Sequence, residues 1–249
     1  ADINIDKEYA ECILKADCIK QQASEFALIE TMRLQEERIL FKDQHLRRLC
    51  ESAKYFDFIF DEDAIDDQLS IHIKAIDGVN QDFRLRLLMD RYGSLSITSV
   101  PIAKKPIILS FDEIRKAPHQ ALGKIVFATE RVKATNAFLY HKTTNRELYN
   151  KGYQTALSHG YVDLLYLNED NMVTETAIQN IFVLIDGEWQ TPIQSAGLLD
   201  GVLRRYLLDT GKVTEAPITI ANLKKAQMIA VGNSVRGLTP IQVDYSQAL

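Results

Sequence analysis

Lys142 lies in His141-Lys142-Thr143-Thr144-Asn145-Arg146, after an apolar stretch ending at Leu139-Tyr140 and before an amphipathic stretch, Leu148 to His159, closed by Gly160. A lysine at such a junction can sit at the lip of a packed layer and face a cavity. Where burial disfavours the ammonium form, its free amine attacks carbonyl carbon and forms a Schiff base. Glu175, in Val173-Thr174-Glu175-Thr176-Ala177-Ile178-Gln179-Asn180, offers a carboxylate just before an apolar strand. Arg48 offers a fixed positive charge. Asp200-Gly201-Val202-Leu203-Arg204 opens a helix, whose free N–H groups and dipole favour an anion. Gly232-Asn233-Ser234-Val235-Arg236-Gly237 ends a strand with small and polar residues able to cup an anion. These parts suit a carbonyl compound that carries a phosphate and a ring nitrogen. Taken singly, each has a plain structural role as a solvated charge, a turn or a capped helix.

The elements that must hold these groups are legible from periodicity. Residues Lys7 to Gln22 place Tyr9, Ile13, Ala16 and Ile19 at helical spacing. Phe26 to Leu34 reads as a strand, Glu36 to Arg38 as a turn, and Ile39 to Phe41 as a second short strand. Asp43 is placed to cap a helix with Leu46, Leu49, Ala53 and Phe56 on one face, and that helix carries Arg48. Asp57 to Asp67 reads as a second helix or a loop. Ser70 to Ile76 and Asp82 to Met89 read as strands around a turn at Asp77-Gly78, and Leu95 to Val100 as another strand. Pro101, Pro106 and Pro118 punctuate a joining region in which Ser110 and Glu113 suggest a capping box. Further on, strands are expected at Ile125 to Ala128, Phe138 to His141, Leu164 to Leu167, Asn180 to Ile185, around Trp189, and at Met228 to Val231. Helices are expected over Leu148 to His159, from Leu199-Asp200-Gly201 to Leu208, and after a Thr219 cap. The division expected is an N-terminal helical segment over 1–23, a small domain over 24–112, a linker over 113–123 and a larger domain over 124–249.

Bulk properties narrow the function classes. The chain has 249 residues, 46% hydrophobic and 25% charged, enough to bury a core and far from a disordered composition. A net charge of -5 leaves no basic footprint, so no nucleic-acid partner is expected. No apolar run approaches the roughly 20 residues needed to span a bilayer, and no secretory signal is apparent, so a cytoplasmic location without a membrane partner is expected. Cys12, Cys18 and Cys50 lack metal or disulfide spacing and read as reduced, partly buried thiols. No histidine pair has metal-site spacing, so no metal is expected.

The order of the motifs resembles a known group. Lys142-Thr143-Thr144-Asn145-Arg146, then Thr174-Glu175 leading to Asn180-Ile181-Phe182, then Gly197-Leu198-Leu199-Asp200-Gly201-Val202-Leu203-Arg204, then Gly232-Asn233-Ser234-Val235-Arg236-Gly237-Leu238 is similar to the fold-type IV pyridoxal-phosphate enzymes. Glu30-Thr31-Met32-Arg33 and His45-Leu46-Arg47-Arg48-Leu49 extend the similarity, which spans about residues 26–243. That group comprises branched-chain and D-amino-acid aminotransferases and aminodeoxychorismate lyase. Phe138 to Arg146 and Gly232 to Leu238 look most like the lyase; Thr176 stands where the aminotransferases usually have glycine. Asp6 to Cys12, with Lys15-Ala16, is similar to the tail of the chorismate-utilising component of para-aminobenzoate synthase. That similarity implies a lyase-like half of a fused synthase, or a descendant of one, and a link to that component.

The resemblance implies an α+β fold, with a small two-layer α/β domain and a larger domain built on a barrel-like sheet with flanking helices. It implies pyridoxal 5'-phosphate as cofactor, a small-molecule substrate and a homodimer. Lys142 would carry the cofactor and move the proton, and Glu175 would pair with the ring nitrogen. Arg48, Asn233, Ser234 and the N–H groups of Val202 and Leu203 would bind the phosphate; relatives often have Thr where Leu203 stands. Asn145 and Arg146 would lie near the ring, and Thr31 and Arg236 would face the substrate. The activity implied is release of pyruvate and 4-aminobenzoate from aminodeoxychorismate. The alternatives are an aminotransferase of the same fold and a non-catalytic partner domain of a synthase.

Overall fold

A computed structural model describes residues 26–76, 81–116 and 122–249. The helix expected over Lys7 to Gln22 and the turn at Asp77-Gly78 lie outside them. Two sheets organise the chain. The smaller contains β1 (Leu28–Gln35), β2 (Arg38–Ile39), β3 (Asp82–Met89) and β4 (Leu95–Ile102), all antiparallel in the order β2-β1-β3-β4. Glu36 and Glu37, both at positive φ, make the tight turn between β1 and β2. Helices α1 (Lys42–Phe56) and α2 (Glu62–Lys74) cover one face. There Leu28, Met32, Leu85 and Leu87 pack against Leu46, Leu49, Ile65 and Leu69. Residues of the opposite parity, Thr31 and Arg33 on β1 beside Arg86 and Arg84 on β3, occupy the other face.

After α3 (Phe111–Lys116) the chain enters an eight-stranded sheet. Its strands are β5 (Gly123–Val132), β6 (Asp163–Asn168), β7 (Val173–Thr176), β8 (Asn180–Ile185), β9 (Glu188–Pro192), β10 (Thr214–Ala216), β11 (Met228–Asn233) and β12 (Gly237–Ala248). The order β10-β9-β8-β11-β12-β5-β6-β7 mixes parallel pairs, β10 with β9 and β12 and β6 with β5, among antiparallel ones. The sheet curls into the barrel-like form implied by the resemblance. Its central strands are buried on both faces, which is why they read as continuous apolar runs. Ile181 and Val183 face an inner cluster with Ile125, Leu165 and Val231. Phe182 and Leu184 face an outer cluster with Phe111, Ile114 and Trp189 and with α5 (Val202–Asp209). On another flank, Ala156 of α4 (Glu147–Ser158) packs on Val126, Leu164 and Tyr166. Helix α6 (Ile220–Lys225) starts at Thr219 in a capping box with Asn222.

Several local expectations change. Ser70 to Ile76 is not a strand; most of it is the second half of α2, where Ile65, Leu69 and Ile73 repeat every four residues on the core side. Phe138 to His141 is not a strand either. Ala137–Leu139 is a 3-10 turn capped by Asn136, whose Oδ1 accepts from Phe138 N at 3.0 Å. Phe138 thereby turns into the aromatic cluster of Phe26 and Phe56. Asp43 sits in the first turn of α1; the cap position belongs to Phe41 in left-handed backbone, so the second short strand ends at Ile39. Glu175 lies within a strand of its own, β7. Cys50 is exposed rather than partly buried. No helix among the described residues is long and apolar enough to cross a membrane.

Gly152 shows how closely α4 seats on the large sheet. A Cβ there would stand 1.9 Å from Tyr166 Oη and 3.1 Å from Leu164 Cδ1. Alanine in a helix interior gains about 1 kcal/mol over glycine, but overpacking a core contact costs about 1–3 kcal/mol. Because Tyr166 is fully buried and has nowhere to move, the clash should win. Gly152→Ala should therefore lower the thermal midpoint by up to roughly 8 °C, corresponding to a net cost of up to about 2 kcal/mol. A raised midpoint in a melting experiment would contradict this packing.

Candidate active site

The two sheets meet where the segment carrying Lys142 lies antiparallel to the start of β1. Ile29 N donates to Lys142 O at 2.8 Å, Thr144 N donates to Ala27 O at 2.9 Å, and Ala27 N donates to Thr144 Oγ1 at 2.9 Å. Thr143 completes a bridge with Leu28. Lys142 thereby opens into a cleft of about 410 Å³ between the sheets. Burial, with Arg146 and then Arg48 adding repulsion, lowers its pKa from 10.5 to about 7.

Glu175 also lines this cleft. Its Oε1 accepts from Leu199 N at 3.1 Å and its Oε2 from Asn180 Nδ2 at 3.2 Å. Burial raises its pKa to about 7 despite the Leu199 N–H and the Lys142 and Arg146 charges. Tyr149 Oη and Arg146 Nε are buried polar atoms without a hydrogen-bond partner among the described residues. Arg146 Nη2 is anchored on Ala177 O at 2.6 Å. Asp163 in turn fixes that turn, accepting from Ala177 N at 3.1 Å and Ile178 N at 3.3 Å.

The anion-binding candidates gather at one end. Arg48 reaches from α1 to the start of α5, its Nη1 3.4 Å from Asp200 O. Gly201 caps α5 without a side chain, and Gly201 and Val202 line the cleft. Leu203 does not; its side chain is wholly buried in the cluster with Phe182 and Trp189, so only its backbone N–H is available. Ser234 faces the cleft. Asn233 also borders it, but its side chain builds the turn: Oδ1 accepts from Val235 N at 3.0 Å and Arg236 N at 2.9 Å, while Nδ2 donates to Ile178 O at 3.0 Å. Thr31, Asn145 and Arg236 line the cleft as well, Arg236 Nη2 lying 3.3 Å from Tyr153 Oη.

Sequence reasoning assigned no role to six residues at or behind this cleft. Arg84 and Arg86 project into it from β3, exposed, and pair with no carboxylate among the described residues. Their spacing of two in a strand was the signal available for a shared face. Tyr149 and Asn180 flank Glu175. Behind Arg48, Glu30 Oε1 accepts from Nε at 2.9 Å and Oε2 from Nη2 at 2.7 Å, while His45 Nδ1 lies 2.6 Å from Oε2. No group of three His, Cys, Asp or Glu side chains among the described residues is arranged to hold a metal.

A curled mixed sheet and an antiparallel sheet enclosing a lysine–glutamate cleft define a class. A family model for class IV aminotransferases matches residues 27–243, and the chain belongs to that family, whose members use pyridoxal phosphate. A Schizosaccharomyces pombe protein provisionally named aminodeoxychorismate lyase is 28% identical over 216 residues, covering 84% of this chain and 86% of its own. Among solved structures, a protein from Mesorhizobium loti, provisionally named an amino-acid aminotransferase, is 35% identical with a TM-score of 0.77; the match covers 88% of this chain and all of that one. A Legionella pneumophila protein, provisionally named 4-amino-4-deoxychorismate lyase, has a TM-score of 0.74 at 19% identity, covering 92% of this chain and 87% of its own.

Two titrations follow from this geometry. Competitive labelling of the unliganded protein with an amine reagent should show Lys142 reactivity rising through pH of about 7. A rise only near 10.5, the ordinary lysine value, would mean the amine is not desolvated. Glu30 behaves oppositely: burial alone would raise its carboxyl, but Arg48 and His45 outweigh it and lower it from 4.5 to about 2. A depressed folded pKa adds stability that is present above pH 4.5 and lost as pH falls toward 2. Denaturant midpoints should therefore decline across that window in the wild type and decline less in Glu30→Gln.

Proposed function

We propose that this protein is a pyridoxal-phosphate-dependent lyase that converts 4-amino-4-deoxychorismate into 4-aminobenzoate and pyruvate. The observation carrying the reading is that one cleft is lined by a lysine and a carboxylate both shifted toward neutrality and by two arginines without an acidic partner among the described residues. The residues present fit the cofactor. Lys142 supplies an amine for its aldehyde, and Glu175, held from two sides, an acceptor for its ring nitrogen. Arg48, Ser234 and the start of α5, where no side chain takes up the N–H groups, supply donors for its phosphate. Tyr149 Oη and Arg146 Nε, buried without partners among the described residues, supply further polar contacts.

Bound pyridoxal phosphate supplies an electron sink for the carbon that bears the substrate amine. Lys142 Nζ takes the proton from that carbon, a role suited to an amine titrating near neutral pH. The C–O bond at the adjacent ring carbon then breaks, the leaving oxygen takes back the proton held by Lys142 so that pyruvate departs as its enol and tautomerises, and the ring becomes aromatic. Arg84 and Arg86 separate this substrate from a simple amino acid. Aminodeoxychorismate carries two carboxylates, and two neighbouring guanidiniums with no acidic partner among the described residues suit the second. The Mesorhizobium loti relative favours an aminotransferase as the competing reading.

Protein loaded with pyridoxal phosphate and given aminodeoxychorismate should release 4-aminobenzoate and pyruvate in equal amounts. Lys142→Ala should reduce the rate by roughly 10²–10⁴-fold. Arg84→Gln and Arg86→Gln should each lower kcat/KM about 10- to 100-fold, mostly through KM, as expected for losing a charged hydrogen bond of about 1.5–3 kcal/mol. Keto acid from amino acids without aminobenzoate would replace the lyase with an aminotransferase. Absence of any cofactor absorbance band would leave the partner-domain reading.

A further inference from the structure

Two buried residues behind the cleft take no direct part in the chemistry above. Glu30 and His45 are 1% and 0% exposed, and neither lines the cavity. Glu30 uses both carboxylate oxygens on Arg48, at 2.9 Å to Nε and 2.7 Å to Nη2. His45 Nδ1 sits 2.6 Å from the same Oε2, and His45 Nε2 has no partner among the described residues. Burial lowers the His45 pKa, and because the Glu30 carboxylate oxygen can only accept, it is Nδ1–H that donates. A buried ionic cluster of this kind seldom stabilises a fold more than well-packed apolar side chains of equal volume would. Its geometry, however, commits one whole edge of the guanidinium. With Nε and Nη2 taken by Glu30, the least engaged donor is Nη1, whose sole contact among the described residues is a 3.4 Å approach to Asp200 O at the start of α5.

We infer that Glu30 and His45 are positioning residues for phosphate capture: together they lock the Arg48 guanidinium so that Nη1 faces the anion cradle formed by Gly201, Val202 and Ser234. Glu30 sets the orientation through a two-point grip. His45 sets Glu30, because a carboxylate held by a third donor cannot rotate away from the arginine. The inference rests on the pyridoxal-phosphate reading and concerns only the phosphate end of that cofactor. It predicts an effect on phosphate recognition that leaves the aldehyde and ring contacts untouched.

The test compares two probes, pyridoxal phosphate and pyridoxal, which share the aldehyde and ring and differ in the phosphate. Each is titrated into unliganded protein and followed by absorbance, with thermal melting to confirm folding. Glu30→Gln should weaken pyridoxal phosphate about tenfold or more, in line with losses seen on removing groups that orient a ligating side chain, while pyridoxal affinity changes less than about twofold. His45→Phe should shift the same ratio in the same direction by a smaller factor, and it carries the test if Glu30→Gln does not fold. Arg48→Gln should abolish the preference for the phosphate form, and adding Glu30→Gln to it should change little further, as for residues acting through one group. Equal weakening of both probes, or no weakening, would overturn the inference while leaving the cofactor reading intact. A wild-type protein that binds neither probe would overturn the cofactor reading and the inference with it.

Discussion

The backbone pairing of residues 142–144 with residues 27–29 turns two separate sheets into one site. It fixes where Lys142 leaves the chain and closes one wall of the cleft. Closure removes water from groups on both sides, and desolvation disfavours whichever form is charged. The same burial therefore pushes Lys142 down and Glu175 up until both titrate near neutral pH. Neither shift is a property of a local motif; both come from the gap between the sheets.

The two sheets divide the labour. The larger one presents Glu175 on β7 and the turns at residues 176–179 and 233–236, each held by side chains that grip backbone N–H groups, Asp163 in one and Asn233 in the other. The smaller one presents positive charge, from Arg84 and Arg86 on the open face of β3 and from Arg48 on the covering helix. Among these, Arg48 alone is gripped from behind, by Glu30, which His45 holds in its turn. Arg33, next to Arg84 across the sheet, is consumed by its ion pair with Asp82 and by Val235 O and Lys105 O, and so ties the small sheet to the chain that follows.

Where local preference and tertiary demand agreed, the elements were readable in advance. Asn180–Ile185 is an apolar run bounded by turn residues, and it is a strand with those limits. Thr219 is a cap because its hydroxyl accepts from Asn222 N at 3.2 Å. The readings that failed share a cause. In Ser70 to Ile76 a two-residue alternation coexists with a four-residue repeat that reaches back to Ile65, and packing against the small sheet selected the longer period. Phe138 to His141 is apolar enough for a strand, but Phe138 fills an aromatic cluster on the small sheet while Leu139 packs with the large one, and only a tight turn sends neighbours both ways. The long strand β12 has weak periodicity of its own and is held by partners on both sides.

By itself the sequence determined the inventory and its order: an amine at Lys142, a carboxylate at Glu175, a glycine-led helix at Gly201, a small-residue turn after Gly232, and most of the strands and helices between them. It also carried the family, because four motifs in register are specific even when each is weak. Only the tertiary structure decided which charges meet. The contact that seats the lysine segment joins residues 117 positions apart, and the one that brings Arg48 to the cradle joins residues 152 apart. It decided that Leu203 turns inward, that Glu30 and His45 stand behind Arg48, and that Arg84 and Arg86 face the cleft unpaired among the described residues. The physical reason is that desolvation and long-range pairing depend on what surrounds a side chain in space, and neighbours in sequence supply little of that surrounding.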